Sequence, residues 1–423
     1  MAELKVQLDR QLIPAGRTSH RHMLLTLVAP ELERDPSRKR PPLNLALVLD
    51  RSGSMAGDKL ALVKQAVTGV LGRLQDTDRF SVVVYNESVD DIAGPTTATG
   101  TSRREAFSAL ERIDAMGGTD LHAGWMRGCE HVARNIAGDT LSRTLLLTDG
   151  LANHGVTEFD VLLERAASLK GGSVGTTTFG VGADFDDALL QGMADRGGGH
   201  YYHVQEPAQI EDFVTSEVGE LLNVVSRDAA LIVRFPPGLE AAVLSPFQHA
   251  WSGEELRIAL GDLVSGQCVE VVLRLDIAPH RVGQVAGLEV EAVDRDGVVS
   301  TLGVSRPYLS AVDPSRSNAE SVATDVERAA ASVYAACARQ RAIEKNRRSN
   351  FDAASDELVR AAERISSLAV NDPDLWLLVS ELRRDAVDFG CRRTEDELKP
   401  LYYVSSTTAR SRNIDGSAKR REP

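Results

Sequence analysis

The stretch that most constrains the fold is an apolar run at residues 43–49 that ends in a polar loop at residues 50–55. An apolar run of this length, ended by turn residues and followed by helical spacing, is typical of a buried strand, a tight loop and a helix. The loop carries Asp50, Ser52 and Ser54. These side chains are therefore expected at the carboxyl end of a buried strand, which is where α/β sheets bind ligands.

A simpler role for these three side chains is to cap the helix that follows them, which is a common use of Asp and Ser. The triplet alone is compatible with both roles. The choice between a cap and a ligand site depends on which other residues reach the same edge of the sheet.

Strands and helices alternate between residues 43 and 223, which indicates one α/β domain. The predicted strands are 43–49, 80–85, 88–92, 144–148, 174–181 and 200–204. The predicted helices are 59–75, 103–113, 121–137, 158–170, 186–195 and 207–222. This order predicts a doubly wound, mostly parallel sheet with helices on both faces and one hairpin-like strand pair.

The flanking regions have different patterns. Residues 226–312 contain short alternating strands bounded by turn residues, including one predicted at 298–304, and they indicate an antiparallel β-sandwich. The strands within residues 1–40 cannot form a stable unit alone, so we expect them to complete that sandwich. The α/β domain would then be an insertion in the sandwich, entered through a charged, proline-rich linker at residues 31–42.

The C-terminal part is helical in pattern. Residues 318–390 predict a small helical bundle, in which Asp372 followed by Pro373 is a helix-start signal. Residues 391–423 are polar and basic towards their end, so we predict a partly disordered tail that is a candidate for phosphorylation or docking.

The net charge, the apolar stretches and the cysteine spacing argue against several classes of protein. A formal net charge of -13 argues against a nucleic-acid-binding protein. No apolar stretch reaches the length of a signal peptide or a membrane span, so we expect a cytoplasmic protein without a membrane partner. The four cysteines are far apart in sequence, which indicates neither a zinc site nor a disulfide framework.

Two further oxygen donors are predicted at the same edge of the sheet. Thr119 lies in a glycine-containing loop that opens a helix, and Asp149 follows the strand predicted at 144–148. With Asp50, Ser52 and Ser54 they form a set of hard oxygen ligands of the kind that Mg²⁺ or Mn²⁺ prefers. The set contains no His or Cys.

These motifs resemble the metal-ion-dependent adhesion site of von Willebrand factor A domains. Residues 50–54 match the family's D-x-S-x-S motif, residues 118–120 its threonine loop and residues 148–150 its second aspartate. Residues 179–184 and 197–202 resemble late elements of bacterial members. The resemblance implies that Ser52, Ser54 and Thr119 bind the ion directly, and that Asp50 and Asp149 bind it directly or through water.

The charge of such a site suggests its function. Only two carboxylates would face a divalent ion, so one coordination position can stay open for an Asp or Glu of a partner protein. We therefore expect a Mg²⁺-dependent protein-binding module, with Mn²⁺ or Ca²⁺ as alternative ions. It would act as a cytoplasmic scaffold or signalling component and not as an enzyme. Related bacterial proteins pair with ATPases or kinases, which makes such a system a candidate partner.

Three residues are predicted at the rim of the site. Arg51 lies inside the loop and could select acidic partners, and His154 follows Asp149 closely. Asp120 could be a sixth ligand, although at the start of a helix it is more often a cap. His200 and His203 are interpreted as residues on a strand face.

An enzymatic alternative is a Mg²⁺-dependent phosphohydrolase in which Asp50 is the nucleophile. Such enzymes resemble D-x-D, with a second aspartate as the general acid. In this sequence that position is Ser52, which cannot fill the role.

Overall fold

The computed structural model describes the chain over four ranges: 2–32, 40–138, 140–369 and 372–421. The chain divides into two compact units. One unit is Glu33–Asn223, and the other combines Met1–Leu32 with Val224–Pro423. The first unit is therefore an insertion in the chain of the second.

The described strands are, in chain order, β1 (Glu3–Leu8), β2 (Leu12–Pro14), β3 (Ser19–Val28), β4 (Leu43–Asp50), β5 (Arg79–Tyr85), β6 (Val89–Thr97), β7 (Leu141–Thr148), β8 (Gly175–Val181), β9 (Gly198–Val204), β10 (Val224–Arg234), β11 (Leu239–Val243), β12 (His249–Ser252), β13 (Glu255–Val264), β14 (Cys268–Ile277), β15 (Val285–Gly287), β16 (Glu289–Val293) and β17 (Tyr308–Val312). The described helices are α1 (Asp58–Arg73), α2 (Gly100–Leu110), α3 (Leu121–Ala133), α4 (Phe159–Gly171), α5 (Asp187–Gly197), α6 (Ile210–Leu221), α7 (Pro314–Ala319), α8 (Thr324–Arg347), α9 (Phe351–Ser366), α10 (Pro373–Phe389) and α11 (Glu395–Ala409).

The inserted unit is built on a six-stranded sheet with the order β6-β5-β4-β7-β8-β9. Neighbouring strands run parallel except for β5 and β6, which pair antiparallel. All eight residues of the central strand β4 are buried, as expected for an apolar strand covered on both faces. The predicted doubly wound, mostly parallel sheet with one hairpin-like pair is confirmed.

Helix α3 packs unusually close to the sheet. A methyl group built on Gly124 would lie 2.3 Å from Cγ of Tyr85, and one built on Gly128 would lie 2.3 Å from Cγ2 of Val48. Only glycine permits this approach, because any larger side chain would overlap the strands. The close packing fixes the start of α3, and with it Thr119, near the carboxyl end of β4.

The second unit contains two four-stranded sheets, with the orders β1-β3-β14-β11 and β12-β13-β10-β16. A smaller sheet has the order β15-β17-β2. Strand β3 pairs antiparallel with β14 over ten residues, from Val28 opposite Cys268 to Ser19 opposite Ile277. The predicted completion of the sandwich by the N-terminal strands is confirmed by this pairing. Apolar side chains of both four-stranded sheets form one core.

The strand predicted at 298–304 is wrong. The structure has a short 3₁₀ turn at Ser300–Leu302 instead. Asp294 produces it, because its carboxylate accepts hydrogen bonds from the Val298 amide at 2.9 Å and from Oγ of Ser300 at 2.8 Å. These contacts fold the backbone back on itself, so the apolar residues of this stretch do not extend into a strand.

The helical region continues further than predicted. Helix α8 lies against β3, where Nε2 of His22 is 3.1 Å from the hydroxyl of Tyr334. Asp372 caps α10 as the sequence predicts, by accepting the Asp374 amide at 3.0 Å. No helix among the described residues is both long enough and apolar enough to cross a membrane.

The predicted partial disorder of residues 391–423 is corrected by the structure over its described part. Most of the first half of this segment is helix α11, which begins with a reciprocal capping box between Thr394 and Glu397. Beyond it, the carbonyl of Lys419 accepts the Cys268 amide at 2.8 Å, and the Lys419 ammonium lies 2.8 Å from Glu270. Basic residues of this segment pair with acidic residues that are distant in sequence, as Lys419 does with Glu270. Composition alone does not reveal such pairs.

Candidate metal centre

Two neighbouring strands deliver the predicted carboxylates to one edge of the sheet. Strands β4 and β7 run parallel, with Leu49 opposite Leu147, so Asp50 and Asp149 emerge at adjacent strand ends. The loop before α3 joins them, because the Gly53 amide donates to the Gly117 carbonyl at 3.0 Å. The loop after β7 is connected as well, because the His154 amide donates to the Thr119 carbonyl at 3.2 Å.

Asp50 is fully buried, and both of its carboxylate oxygens have partners. Oδ1 accepts the Ser52 amide at 2.8 Å, and Oδ2 accepts the hydroxyl of Thr148 at 2.7 Å. Burial raises the pKa of Asp50 above its ordinary value, and these hydrogen bonds offset only part of that effect. The ionised carboxylate is therefore under-compensated by its neighbours, and a bound cation would favour it.

A continuous chain of polar contacts links the serines to the second aspartate. The hydroxyl oxygens of Ser52 and Ser54 lie 3.0 Å apart, and Ser54 donates to Oδ1 of Asp149 at 2.7 Å. The ammonium of Lys59 lies 2.5 Å from Oδ2 of Asp149, whose side chain is fully buried. Lys59 therefore supplies a positive charge directly beside the predicted ligand set.

Thr119 is also buried and lies at the same place. Its amide donates to Oδ1 of Asn153 at 3.1 Å, which joins the threonine loop to the loop after β7. A methyl group built on Gly150 would lie 3.3 Å from Oγ1 of Thr119 and 3.9 Å from Oδ2 of Asp50. Both oxygens thus border the small space that this glycine leaves open.

The structure therefore brings all five predicted ligands into one cluster, which we call the strand-end site: Asp50, Ser52, Ser54, Thr119 and Asp149. Every donor in it is a hard oxygen atom, and three of the five are neutral hydroxyls. This donor set fits Mg²⁺ or a similar hard divalent cation, and it does not fit Zn²⁺ or copper, which prefer nitrogen and sulfur ligands.

The three predicted rim residues differ in what they contact. The guanidinium of Arg51 lies 2.5 Å from Asp90 on β6, so it is engaged within the domain. Asp120 caps α3 by accepting the Ala123 amide at 2.9 Å, which is the simpler of its two predicted roles. The His154 side chain is 52% exposed and remains accessible at the rim.

His200 and His203 are strand residues of β9, and neither contacts the strand-end site in its described interactions. Nε2 of His203 lies 3.1 Å from the Gly182 carbonyl, and Nδ1 of His200 lies 2.9 Å from the buried carboxylate of Glu217. Glu217 also accepts hydroxyls from Thr177 at 2.6 Å and from Tyr202 at 2.8 Å. Glu217 thus joins helix α6 to strands β8 and β9, and we call Glu217 with its partners His200, Thr177 and Tyr202 the anchor.

The sequence interpretation missed two residues of the strand-end site. Thr148 holds Asp50, and Lys59 neutralises Asp149. Thr148 carries a weak signal, because it is the last residue of its strand and directly precedes Asp149. Nothing in the sequence marks Lys59 as a site residue, because a lysine in the first turn of a helix is ordinarily solvated.

Comparison with known proteins identifies the inserted unit. A family model described as von Willebrand factor type A domain matches residues 44–216. The solved structure of a von Willebrand factor type A protein from Catenulispora acidiphila covers 99% of this chain and 97% of its own, with a TM-score of 0.69 and 18% identity. The ArnB paralog VWA2 from Sulfolobus acidocaldarius covers 93% of this chain and 100% of its own, with a TM-score of 0.55 and 16% identity. At these identities the likeness shows the fold.

Relatives found by sequence match between about half and two thirds of this chain. An uncharacterized protein of Synechocystis sp. is 29% identical over 302 residues, which are 67% of this chain and 69% of the relative. The uncharacterized protein YfbK of Escherichia coli is 25% identical over 57% of this chain, and human inter-alpha-trypsin inhibitor heavy chain H3 is 26% identical over 52%. These two matches span only 43% and 25% of the relatives' own lengths.

Proposed function

Because residues 44–216 form a von Willebrand factor type A domain, we propose that this chain is a divalent-cation-dependent protein-binding module. Domains of this family are in general metal-dependent interaction modules. The observation that carries the proposal is the convergence of five oxygen donors, of which only Asp50 and Asp149 are charged. These two carboxylates balance the charge of a divalent ion without exceeding it, so a coordination position can stay open for a further anionic ligand.

In this proposal Ser52, Ser54 and Thr119 hold Mg²⁺ directly, while Asp50 and Asp149 hold it directly or through water. The remaining coordination position accepts the carboxylate of an Asp or Glu from a partner protein. Mn²⁺ or Ca²⁺ can replace Mg²⁺ because both also prefer oxygen ligands.

The surroundings of the site support a protein as the ligand. Met116 and Leu151, which adjoin the threonine loop and the loop after β7, are 53% and 54% exposed. His154 lies on the same rim. Large apolar side chains beside a charged centre are typical of protein interfaces, in which apolar contacts add to one directional polar contact.

The role of the whole chain follows from the same proposal. We expect a cytoplasmic scaffold or signalling component, with an ATPase or kinase system as the candidate partner, and no enzymatic activity. Nucleophilic use of Asp50 is disfavoured because the side chain is fully buried and both its oxygens already accept hydrogen bonds.

The test measures ion binding and partner binding on the full chain. Isothermal titration with MgCl₂ should detect one site in the wild type and none in Asp50→Ala. Partner recovery from native cytosol should fall at least about tenfold with EDTA and with Asp50→Ala, which is a loss of about 1.4 kcal/mol or more. Glu105→Ala, which removes an exposed carboxylate on α2, is the matched control and should behave as wild type. Equal partner recovery with and without EDTA would contradict the proposal.

A further inference from the structure

Lys59 is placed where a divalent ion would act on Asp149. Its ammonium lies 2.5 Å from Oδ2, while Ser54 donates to Oδ1. The Asp149 side chain is fully buried, whereas that of Lys59 is 25% exposed. A buried carboxylate without a positive partner is costly, and Lys59 lowers that cost when no ion is bound.

The position of Lys59 is set by the fold. It belongs to the first turn of α1, directly after the loop that carries Ser52 and Ser54. On its other side, a methyl group built on Gly182 would lie 3.7 Å from the ammonium nitrogen. The ammonium is thus held between Asp149 and the loop after β8.

We propose that Lys59 is an internal counter-cation that competes with the divalent ion for Asp149 and thereby lowers the ion affinity of the strand-end site. This inference rests on the proposed function, because it concerns the same site. Like charges a few ångströms apart in a partly dry site repel strongly, so an ion that reaches Asp149 must displace the ammonium or tolerate it.

A count of charges gives the consequence for partners. Asp50, Asp149 and Lys59 together carry one negative charge, and a divalent ion converts this to one positive charge. The carboxylate of a partner then restores neutrality. Lys59 therefore makes the ion bind weakly alone and more tightly together with an anionic partner, which couples the two binding events reciprocally.

The experiment compares Lys59→Met, Lys59→Arg and Lys64→Met with the wild type in the full chain. Lys64 lies on the same helix and donates to the Ile113 carbonyl, away from Asp149. Isothermal titration with MgCl₂ should show affinity at least about tenfold higher for Lys59→Met, because a repelling charge is removed. Lys59→Arg keeps the positive charge beside Asp149, so its Mg²⁺ affinity should stay closer to that of wild type than to that of Lys59→Met. Lys64→Met should stay within about threefold of wild type.

A thermal melt gives a second readout that does not require a partner. In EDTA, Lys59→Met should melt below wild type because Asp149 is left buried and unpaired, and saturating Mg²⁺ should remove the difference. If wild type binds Mg²⁺ and Lys59→Met binds it no more tightly, this inference is overturned while the proposed function stands. If neither protein binds Mg²⁺ at millimolar concentration, the proposed function fails, and Lys59 is only an ion-pair partner of Asp149.

Discussion

Two fully buried carboxylates of the α/β unit, Asp50 and Glu217, have opposite electrostatic settings. Burial raises the pKa of Asp50, and its hydrogen bonds from Thr148 and Ser52 do not reverse this. Burial acts the same way on Glu217, but the charge and hydrogen bond of His200, the charge of Arg143 and the hydrogen bond of Thr177 together outweigh it and hold the pKa of that carboxyl below its usual range. Equal burial therefore has opposite results: the charge of Glu217 is compensated by neighbouring side chains, whereas the charge of Asp50 is not and would be compensated by a bound cation.

The largest expected effect is on the anchor. Glu217→Ala removes the buried carboxylate on which the contacts of His200, Tyr202 and Thr177 converge, so we expect a loss of about 3–5 kcal/mol in the free energy of unfolding. Urea denaturation followed by tryptophan fluorescence measures it, because buried Trp125 reports on the same unit. Exposed Glu105→Ala should change stability by less than about 0.5 kcal/mol. A similarly small loss for Glu217→Ala would show that the anchor does not stabilise the domain.

The second largest effect is expected at the strand-end site. Mg²⁺ at about a hundred times its dissociation constant should stabilise the wild type by about 2.7 kcal/mol. Asp50→Asn keeps the shape of the side chain but not its charge, so Mg²⁺ should no longer stabilise the protein. Thermal melts of both proteins in Mg²⁺ and in EDTA measure this. Equal Mg²⁺ stabilisation of the two proteins would place the ion elsewhere.

A smaller effect is expected when the anchor loses one donor and keeps its acceptor. Tyr202→Phe removes one hydrogen bond to an ionised group and should cost about 1.5 kcal/mol. Mg²⁺ binding should be unchanged, as titration calorimetry can check. A change in ion affinity would mean that the anchor and the strand-end site are coupled.

The smallest effect is in the pH dependence without the ion. The pKa of Asp50 is raised, so the folded state binds more protons than the unfolded state and stability falls as pH rises above about 3.8. The pKa of Glu217 is lowered, so its contribution is present above about 4.5 and is lost as pH falls below that value. In EDTA, Asp50→Asn should therefore gain stability relative to wild type as pH rises, whereas Glu217→Gln should lose it. If the stability of both variants relative to wild type changed with pH in the same direction, Asp50 and Glu217 would not differ electrostatically as described.

The sequence predicted the strand-end site better than its surroundings. Asp50 and Asp149 follow apolar strands, so the parallel sheet brings them together without any knowledge of side-chain contacts. Lys59 meets Asp149 across 90 residues of chain, and nothing in its local sequence marks that contact. The anchor was missed for the same reason, because Glu217 lies on a helix whose pattern does not show that it is buried beside β9.

The same limit applies to the fold. The alternation of strands and helices was enough to predict the inserted sheet and the sandwich. The turn at Ser300–Leu302 and the ordered segment around Lys419 were predicted wrongly because Asp294 and Glu270 organise them through side-chain contacts. Local composition indicates the tendency of a segment to form a strand or to be disordered, but it does not indicate a contact with a residue that is distant in sequence.

The pairing of β3 with β14 has a consequence for synthesis on the ribosome. Strand β3 is translated early, but its partner β14 emerges only after the whole inserted unit has been made. During that interval the apolar side chains of Met23, Leu25 and Leu27, which belong to the final core, lie on a strand that can pair with β1 but lacks its second partner, β14. The inserted unit can fold before β14 has been made. The outer unit depends on a contact between residues that are very far apart in sequence. We therefore expect the outer unit to fold more slowly and to be more prone to aggregation during synthesis.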